Sequence, residues 1–329
     1  MECPRRRFLH VAAGAAALAV ASQAALAQTY PSKPITMIVP FAAGGSTDVI
    51  GRILAERMRV SLGQTIIIEN ATGAGGTIGV TRAVRAAPDG YTISLGQNGS
   101  HVITGATYGN LSYNLLTDFE PVSLLVISPF VITATKATPA NNLKELIAHL
   151  KANPGRTVGN AGMGSITHVA GLVFQNVTGT QLQFVPYRGT GPAMQDLVAG
   201  QIDMMIGDPI TGMPHVRAGL LKIYGVASDT RLPSAPEVPT VDEAGLPSFH
   251  ISLWHGLWVP KGTPKSIIAK LHEAVVDALA DPATRAKLAH AGQEIFPRDQ
   301  QTPEALASLQ RADIEKWWPI IKASGFKVE

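Results

Sequence analysis

The chain has 329 residues, 46% of them apolar and only 16% charged, with a formal charge of +3. That length suffices for two domains with separate cores, and the composition excludes a disordered chain. Two of the three net positive charges belong to residues 1–27, where only Glu2 offsets Arg5-Arg6-Arg7, and no basic stripe follows, which argues against a nucleic-acid partner.

Those arginines precede an apolar, alanine-rich run from Val11 to Ala21 and then Ala25-Leu26-Ala27, a small-x-small cleavage pattern. This reads as an export signal whose apolar core is too short to span a membrane. Consecutive arginines before Phe8-Leu9 resemble a twin-arginine signal, and a general secretory signal is the alternative. Cleavage after Ala27 would start the mature protein at Gln28 in the periplasm. The single cysteine, Cys3, lies in this segment, so the mature chain has no disulfide, thiol nucleophile or thiolate metal site.

In chain order, Ile35-Thr36-Met37-Ile38-Val39 reads as a buried strand. Val49, Ile50, Ile53, Leu54 and Met58 have helical spacing, with Gly63 as a C-terminal stop. Between them lies Pro40-Phe41-Ala42-Ala43-Gly44-Gly45-Ser46-Thr47-Asp48, a glycine-rich strand-to-helix turn with a Ser or Thr expected as the cap. Such a turn directs free N–H groups and the positive helix end into a cleft. Its bland reading is a tight turn that needs only small residues. Ile66 to Ile68 is a second strand, and Asn70 to Thr77 a second glycine-rich turn. Tyr91 to Leu95 is a third strand, closed by Gly96-Gln97-Asn98-Gly99-Ser100. Strands alternating with helices predict βαβ units and a parallel sheet, with ligand loops at the strand carboxyl ends.

Leu124 to Thr135, broken by Ser128-Pro129, reads as a first crossing between domains. Asn141 or Asn142 caps a helix reaching Leu150. The strand Thr157 to Asn160 leads into Ala161-Gly162-Met163-Gly164-Ser165-Ile166-Thr167-His168 and another helix. Strands follow at Leu182–Val185, Ile202–Ile206 and Lys222–Ala227, with a helix from Pro192 to Ala199. A proline-rich stretch, Asp229 to Pro247, is linker-like. Phe249 to Val259 reads as the return crossing. Three helices follow, opening at Thr263-Pro264, Asp281-Pro282 and Thr302-Pro303. They are expected to pack on the first domain.

The first glycine-rich turn resembles that of the Bug-type proteins, the extracytoplasmic receptors of the tripartite tricarboxylate transporter family. The resemblance continues through Asn70 to Gly76, Pro88 to Thr92, Gly162 to Gly171, Val185 to Gly189, Gly200 to Asp203 and Pro239 to Val241, in order along nearly the whole mature chain. It implies an α/β fold of the periplasmic binding protein type II kind, two α/β domains joined by two crossings, with the ligand between them. The expected division is 28–126 with 252–329 for one domain and 127–251 for the other. It implies capture of a small carboxylate (an organic acid, an acidic amino acid or an aromatic acid) by a monomer that docks to a membrane permease, with no cofactor. An exported sensor that signals to a kinase is the alternative. Trp258 and Lys261 stand where the family more often has small residues, and would alter selectivity if that loop reaches the cleft.

Several residues are then candidates for ligand contact. Phe41, Ala43, Gly44 and Gly45 offer backbone N–H groups or a wall. Asp48 would hold a ligand amine or a bridging water, or merely complement the helix dipole. Gly75, Gly76 and Asn98 belong to the neighbouring loops. In the second domain, Gly164, Ser165, Thr167 and His168 present donors, and His168 alternatively makes a structural contact in its own domain. Tyr187 would donate its hydroxyl or form a wall. Asp208, before Pro209, is either a ligand contact or a turn former. Ser165 and His168 lie three residues apart, but without a G-x-S-x-G elbow they make a poor hydrolase pair. His250 and His255 are five apart on a strand and would face opposite sides, so no metal site is expected.

Overall fold

The computed structural model describes residues 30–247, 249–323 and 325–328; the expected export signal, its cleavage point and Cys3 lie outside them. Two mixed sheets organise the chain. The first is built on β1 (Ile35–Val39), flanked in parallel by β2 (Ile66–Asn70) and β3 (Thr92–Gln97). Ile35, Met37, Ile38 and Val39 are all buried, as a central strand covered on both faces requires. The sheet continues antiparallel through β10 (Ser252–Pro260), β4 (Phe119–Pro129) and the short β11 (Glu294–Ile295). The second sheet repeats this plan. β6 (Arg156–Asn160) lies parallel to β7 (Leu182–Pro186) and β8 (Met204–Gly207), and β5 (Val131–Thr135) and β9 (Leu221–Val226) extend it antiparallel.

The chain passes between sheets twice, and the passages are tied together. Phe130 N donates to Ile251 O at 2.9 Å, Ala227 N to Phe130 O at 2.7 Å, and Ile251 N to Ala227 O at 3.1 Å. The result is two α/β domains joined by two crossings, called lobe 1 and lobe 2 below.

Helix α1 (Ser46–Leu62) buries Ile50, Leu54, Met58 and Leu62 against the first sheet, each such side chain contributing roughly 1.5–3 kcal/mol. Gly63 ends it in the left-handed region at φ 67°, donating back to Arg59 O. The expected hydroxyl cap is absent. Gly45 is the N-cap with no side-chain bond, so Ser46 and Thr47 sit inside the first turn with their hydroxyls released from capping. Asp48, in the same turn, reaches back to the residue before the cap and accepts from Gly44 N at 3.0 Å. Helix α2 (Thr77–Val84) follows the second glycine turn, and α3 (Thr104–Thr107) follows a π-helical turn, Gly99–Ile103, which the sequence did not announce.

Lobe 2 carries α4 (Leu143–Ala152), capped by Asn142 on Glu145 N, and α5 (Ile166–Thr178), capped by Ser165 on His168 N. It also carries α6 (Thr190–Val198) and α7 (Pro209–Arg217), the latter capped by Asp208 on Ile210 N. Helix α7 has no clear apolar periodicity and contains Pro214, so it escaped the sequence reading. The last three helices, α8 (Lys265–Ala280), α9 (Pro282–His290) and α10 (Pro303–Ala323), return to lobe 1 as expected. Asp281 and Thr302 cap as predicted, whereas Thr263 donates back to Pro260 O instead. Among the described residues no helix is long and apolar enough to cross a membrane.

Candidate functional site

The lobes meet over the strand carboxyl ends, and a small cavity of about 10 Å³, room for roughly one water molecule, lies at their junction. From lobe 1 it is lined by Phe41, by Ser46 and Thr47 in the first turn of α1, by Gln97 at the end of β3 and by Leu253 on β10. Lobe 2 contributes Ala161, Thr167, Thr190 and Asp208. These four follow a strand end or open a helix: Thr167 lies in the first turn of α5, Thr190 begins α6, and Asp208 caps α7. Four helix N-termini, one from lobe 1 and three from lobe 2, therefore converge on one small space. None of the lining residues is Arg, Lys or His.

The hydrogen-bond pattern shows what each group has left to offer. Ser46 N donates to Thr190 Oγ1 across the lobes at 3.3 Å. Thr167 Oγ1 accepts from Ala161 N at 2.8 Å and exchanges a bond with Ser165 Oγ at 3.0 Å. Thr47 Oγ1 lies 3.2 Å from His255 Nε2. Gln97 Oε1 accepts from Gly99 N. Phe41 is buried and forms an apolar wall against Gly76, where an added Cβ would stand 3.1 Å from the ring.

Asp208 is the one acidic group on the wall. Oδ1 accepts from Gln293 Nε2 at 2.7 Å and Ile210 N at 2.9 Å, and Oδ2 accepts from Ser128 Oγ at 3.0 Å. Since Ser128 and Gln293 belong to lobe 1, the carboxyl group ties the lobes together beside the cavity. Burial pushes its pKa up to about 6, and those three donors hold back part of the rise.

The other expected contacts are occupied elsewhere. Asp48 is buried, and its carboxylate is spent inside lobe 1 on Arg52 (2.9 Å to each oxygen), Asn70 Nδ2 and Gly44 N. Burial would raise its pKa, but these partners outweigh that and hold it below the usual carboxylate range. It braces the first turn. Ala43 and Gly44 are exposed and lie against Gly191 of lobe 2, outside the cavity lining. Gly45 approaches Thr190. Gly75 faces Met163 O and Gly164 faces Thr107 and Tyr108, so both shape the contact between lobes.

Asn98 donates to Ser252 O, beside the crossing. Ser165 is consumed as a cap. The His168 ring turns away from the cavity, against Phe184 and Phe326, and burial lowers its pKa to about 4. Its Nδ1 faces Gly164 N rather than the Ser165 hydroxyl, so no Ser–His pair forms. Tyr187 Oη donates to Asp196 at 2.7 Å on its own lobe. Trp258 is buried and stacked on His101 at 4.0 Å, while exposed Lys261 pairs with Glu120; neither lines the cavity.

Sequence reasoning did not single out Ser46, Thr47, Gln97, Ala161, Thr190 or Leu253. For Thr190 a signal existed: Gly189-Thr190 repeats the glycine-then-hydroxyl opening of Gly45-Ser46. Leu253 carries none, because only the sheet pairing brings it there. Among the described residues no group of three or more His, Cys, Asp or Glu is placed to hold a metal.

Comparison with known proteins places the chain. Residues 50–326 match the family model of the tripartite tricarboxylate transporter family receptor. Protein BugT of Bordetella pertussis is 35% identical over 306 residues, covering 92% of this chain and 93% of the relative. The structure of the periplasmic binding protein BugD is 40% identical with a TM-score of 0.88, covering 91% of this chain and all of BugD. MatC from Rhodopseudomonas palustris, solved with bound malate, is 38% identical with a TM-score of 0.86, covering 89% of this chain and all of MatC. The chain belongs to the Bug-type receptors of the tripartite tricarboxylate transporter family, the periplasmic solute-binding proteins.

Proposed function

We propose that the cavity between the lobes captures the carboxylate of a small organic acid, acidic amino acid or aromatic acid, which the receptor then delivers as a monomer to a tripartite-type membrane permease. The observation that carries this reading is the convergence of four helix N-termini on a space with no cationic side chain in its wall. Each N-terminus turns its positive end toward this space, with one N–H of α5 taken by Ser165, one of α7 by Asp208 and Ser46 N of α1 by Thr190, and a helix end contributes roughly 0.3–1 kcal/mol toward a nearby anion. Hydrogen bonds to a charged group contribute about 1.5–3 kcal/mol each. Four or five of them reach about −8 kcal/mol, micromolar affinity, after the costs of association. Ser46, Thr47, Gln97, Thr167 and Thr190 supply the polar contacts, Phe41 and Leu253 the apolar ones. MatC, with its bound malate, is a relative that takes a ligand of this class.

The test is a thermal-shift panel of malate, succinate, glutamate, nicotinate and benzoate, set against glucose and putrescine. The reading expects stabilisation by at least one acid and by neither control. Stabilisation by glucose or putrescine alone, or by nothing in a wide acid panel, would refute it.

A further inference from the structure

Beneath the first turn of α1, β10 carries a histidine that does not itself line the cavity. His255 Nε2 lies 3.2 Å from Thr47 Oγ1, and both residues are buried, at 0% and 1% exposure. His255 also stands opposite Gln97 in the antiparallel pairing of β10 with β3. Its other ring nitrogen, Nδ1, is buried with no hydrogen-bond partner among the described residues. Thr47 Oγ1 makes no other hydrogen bond among them, and Thr47 lines the cavity. Burial lowers the imidazole pKa to about 3, so the ring is neutral at physiological pH and carries one proton.

Two tautomers are open to it, with different consequences. With the proton on Nδ1, a buried N–H is left without an acceptor. Nε2 then takes the Thr47 hydroxyl proton, and only oxygen lone pairs face the cavity. With the proton on Nε2, the ring donates to Thr47 Oγ1 and the orphaned atom is merely a lone pair. The threonine proton is then free to turn toward the cavity. Buried N–H groups are left unpaired more rarely than acceptors, which selects the second arrangement.

We infer that His255 is a positioning residue that holds the Thr47 hydroxyl as a hydrogen-bond donor toward the carboxylate of the bound acid. The inference rests on the reading of the cavity as a carboxylate site. It gives lobe 1 a donor that no sequence motif announces, supplied by a neutral ring one layer below the ligand.

The decisive measurement is ¹⁵N NMR of histidine-labelled, ligand-free protein near neutral pH, with His255→Gln identifying the resonances. A protonated Nε2 with a pyridine-like Nδ1 supports the inference; a protonated Nδ1 overturns it. Calorimetric titration with malate, and with adipate as a longer acid, supplies the second arm. His255→Leu and Thr47→Val are each expected to weaken binding roughly tenfold. The double variant should lose no more than either alone, since both remove one donor. His255→Gln, whose amide N–H can replace the ring donor, should recover most of the affinity. Additive losses, or unaltered binding by His255→Leu, would overturn the inference. Wild-type protein that binds no acid would refute the carboxylate reading instead, and the tautomer would still be decided.

Discussion

Gly191 offers a substitution in which the stability of a lobe and the affinity for ligand should move in opposite directions. It lies in the first turn of α6 with ordinary helical geometry, so alanine fits its backbone and improves local helix propensity by about 0.5–1 kcal/mol. Yet a Cβ there would stand 2.6 Å from Ala43 O and 3.0 Å from Gly44 C and Gly45 N, all backbone atoms of the opposite lobe. Restoring ordinary contact requires the lobes to part by about 0.8 Å. The interlobe bonds from Ala42 N to Arg188 O (3.0 Å) and from Ser46 N to Thr190 Oγ1 (3.3 Å) cross the same seam. At about 0.5–1.5 kcal/mol each, their loss amounts to about 1–3 kcal/mol, or roughly 5- to 150-fold in affinity. Gly191→Ala should therefore keep or slightly raise the ligand-free melting temperature while weakening acid binding by at least fivefold in calorimetry. Unchanged affinity would refute the reasoning that close contact across this seam supports ligand binding. A melting temperature several degrees lower would show that the glycine is needed within its own lobe.

Other substitutions separate structural from binding roles. Asp48→Ala removes an acceptor shared by Asn70, Gly44 N and half-exposed Arg52, and should cost about 2 kcal/mol of stability in urea unfolding. Because the Asp48 pKa is held below the usual range, that stabilisation is present above it and fades as pH falls through the lowered value. Asp208 has the opposite sign: its pKa is raised to about 6, so its contribution is full below the usual carboxylate range and is lost as pH rises through 6. Protonation also removes a negative charge from the cavity wall, so acid affinity should rise as pH falls from 7.5 to 5. Asp208→Asn should flatten both trends, and unaltered pH profiles in the variant would contradict this. Phe326→Ala removes a ring tilted at 55° to His168 of the other lobe, 4.6 Å between centroids, and should weaken acid binding roughly fivefold with little change in the ligand-free melting temperature.

The parts of the fold legible in the sequence were those governed by local rules. The buried run before Pro40, the Gly63 stop, the Asn142 and Asp281 caps and the two crossings each follow from neighbours along the chain. The site was legible as a set of helix-opening turns but not as a set of side chains. Asp48, His168 and Tyr187 occupy suitable turns, yet their polar atoms satisfy Arg52, Gly164 and Asp196 nearby. Buried polar groups find partners wherever packing offers them, and that choice depends on contacts far apart in sequence. Thr190 and Leu253 enter the site only because two lobes meet, and His255 reaches Thr47 only through sheet pairing. Helix α7 was hidden by Pro214 and a weak apolar pattern.

The central claim concerns place: a carboxylate held where the four helices begin. A crystal structure with the acid that gives the largest thermal shift tests it most directly. The account predicts a carboxylate between the lobes, within hydrogen-bonding distance of the first turn of α1 and of at least one of the Thr167, Thr190 and Asp208 helix openings. An acid bound elsewhere, or one held by an arginine or lysine side chain in place of these helix ends, would contradict it.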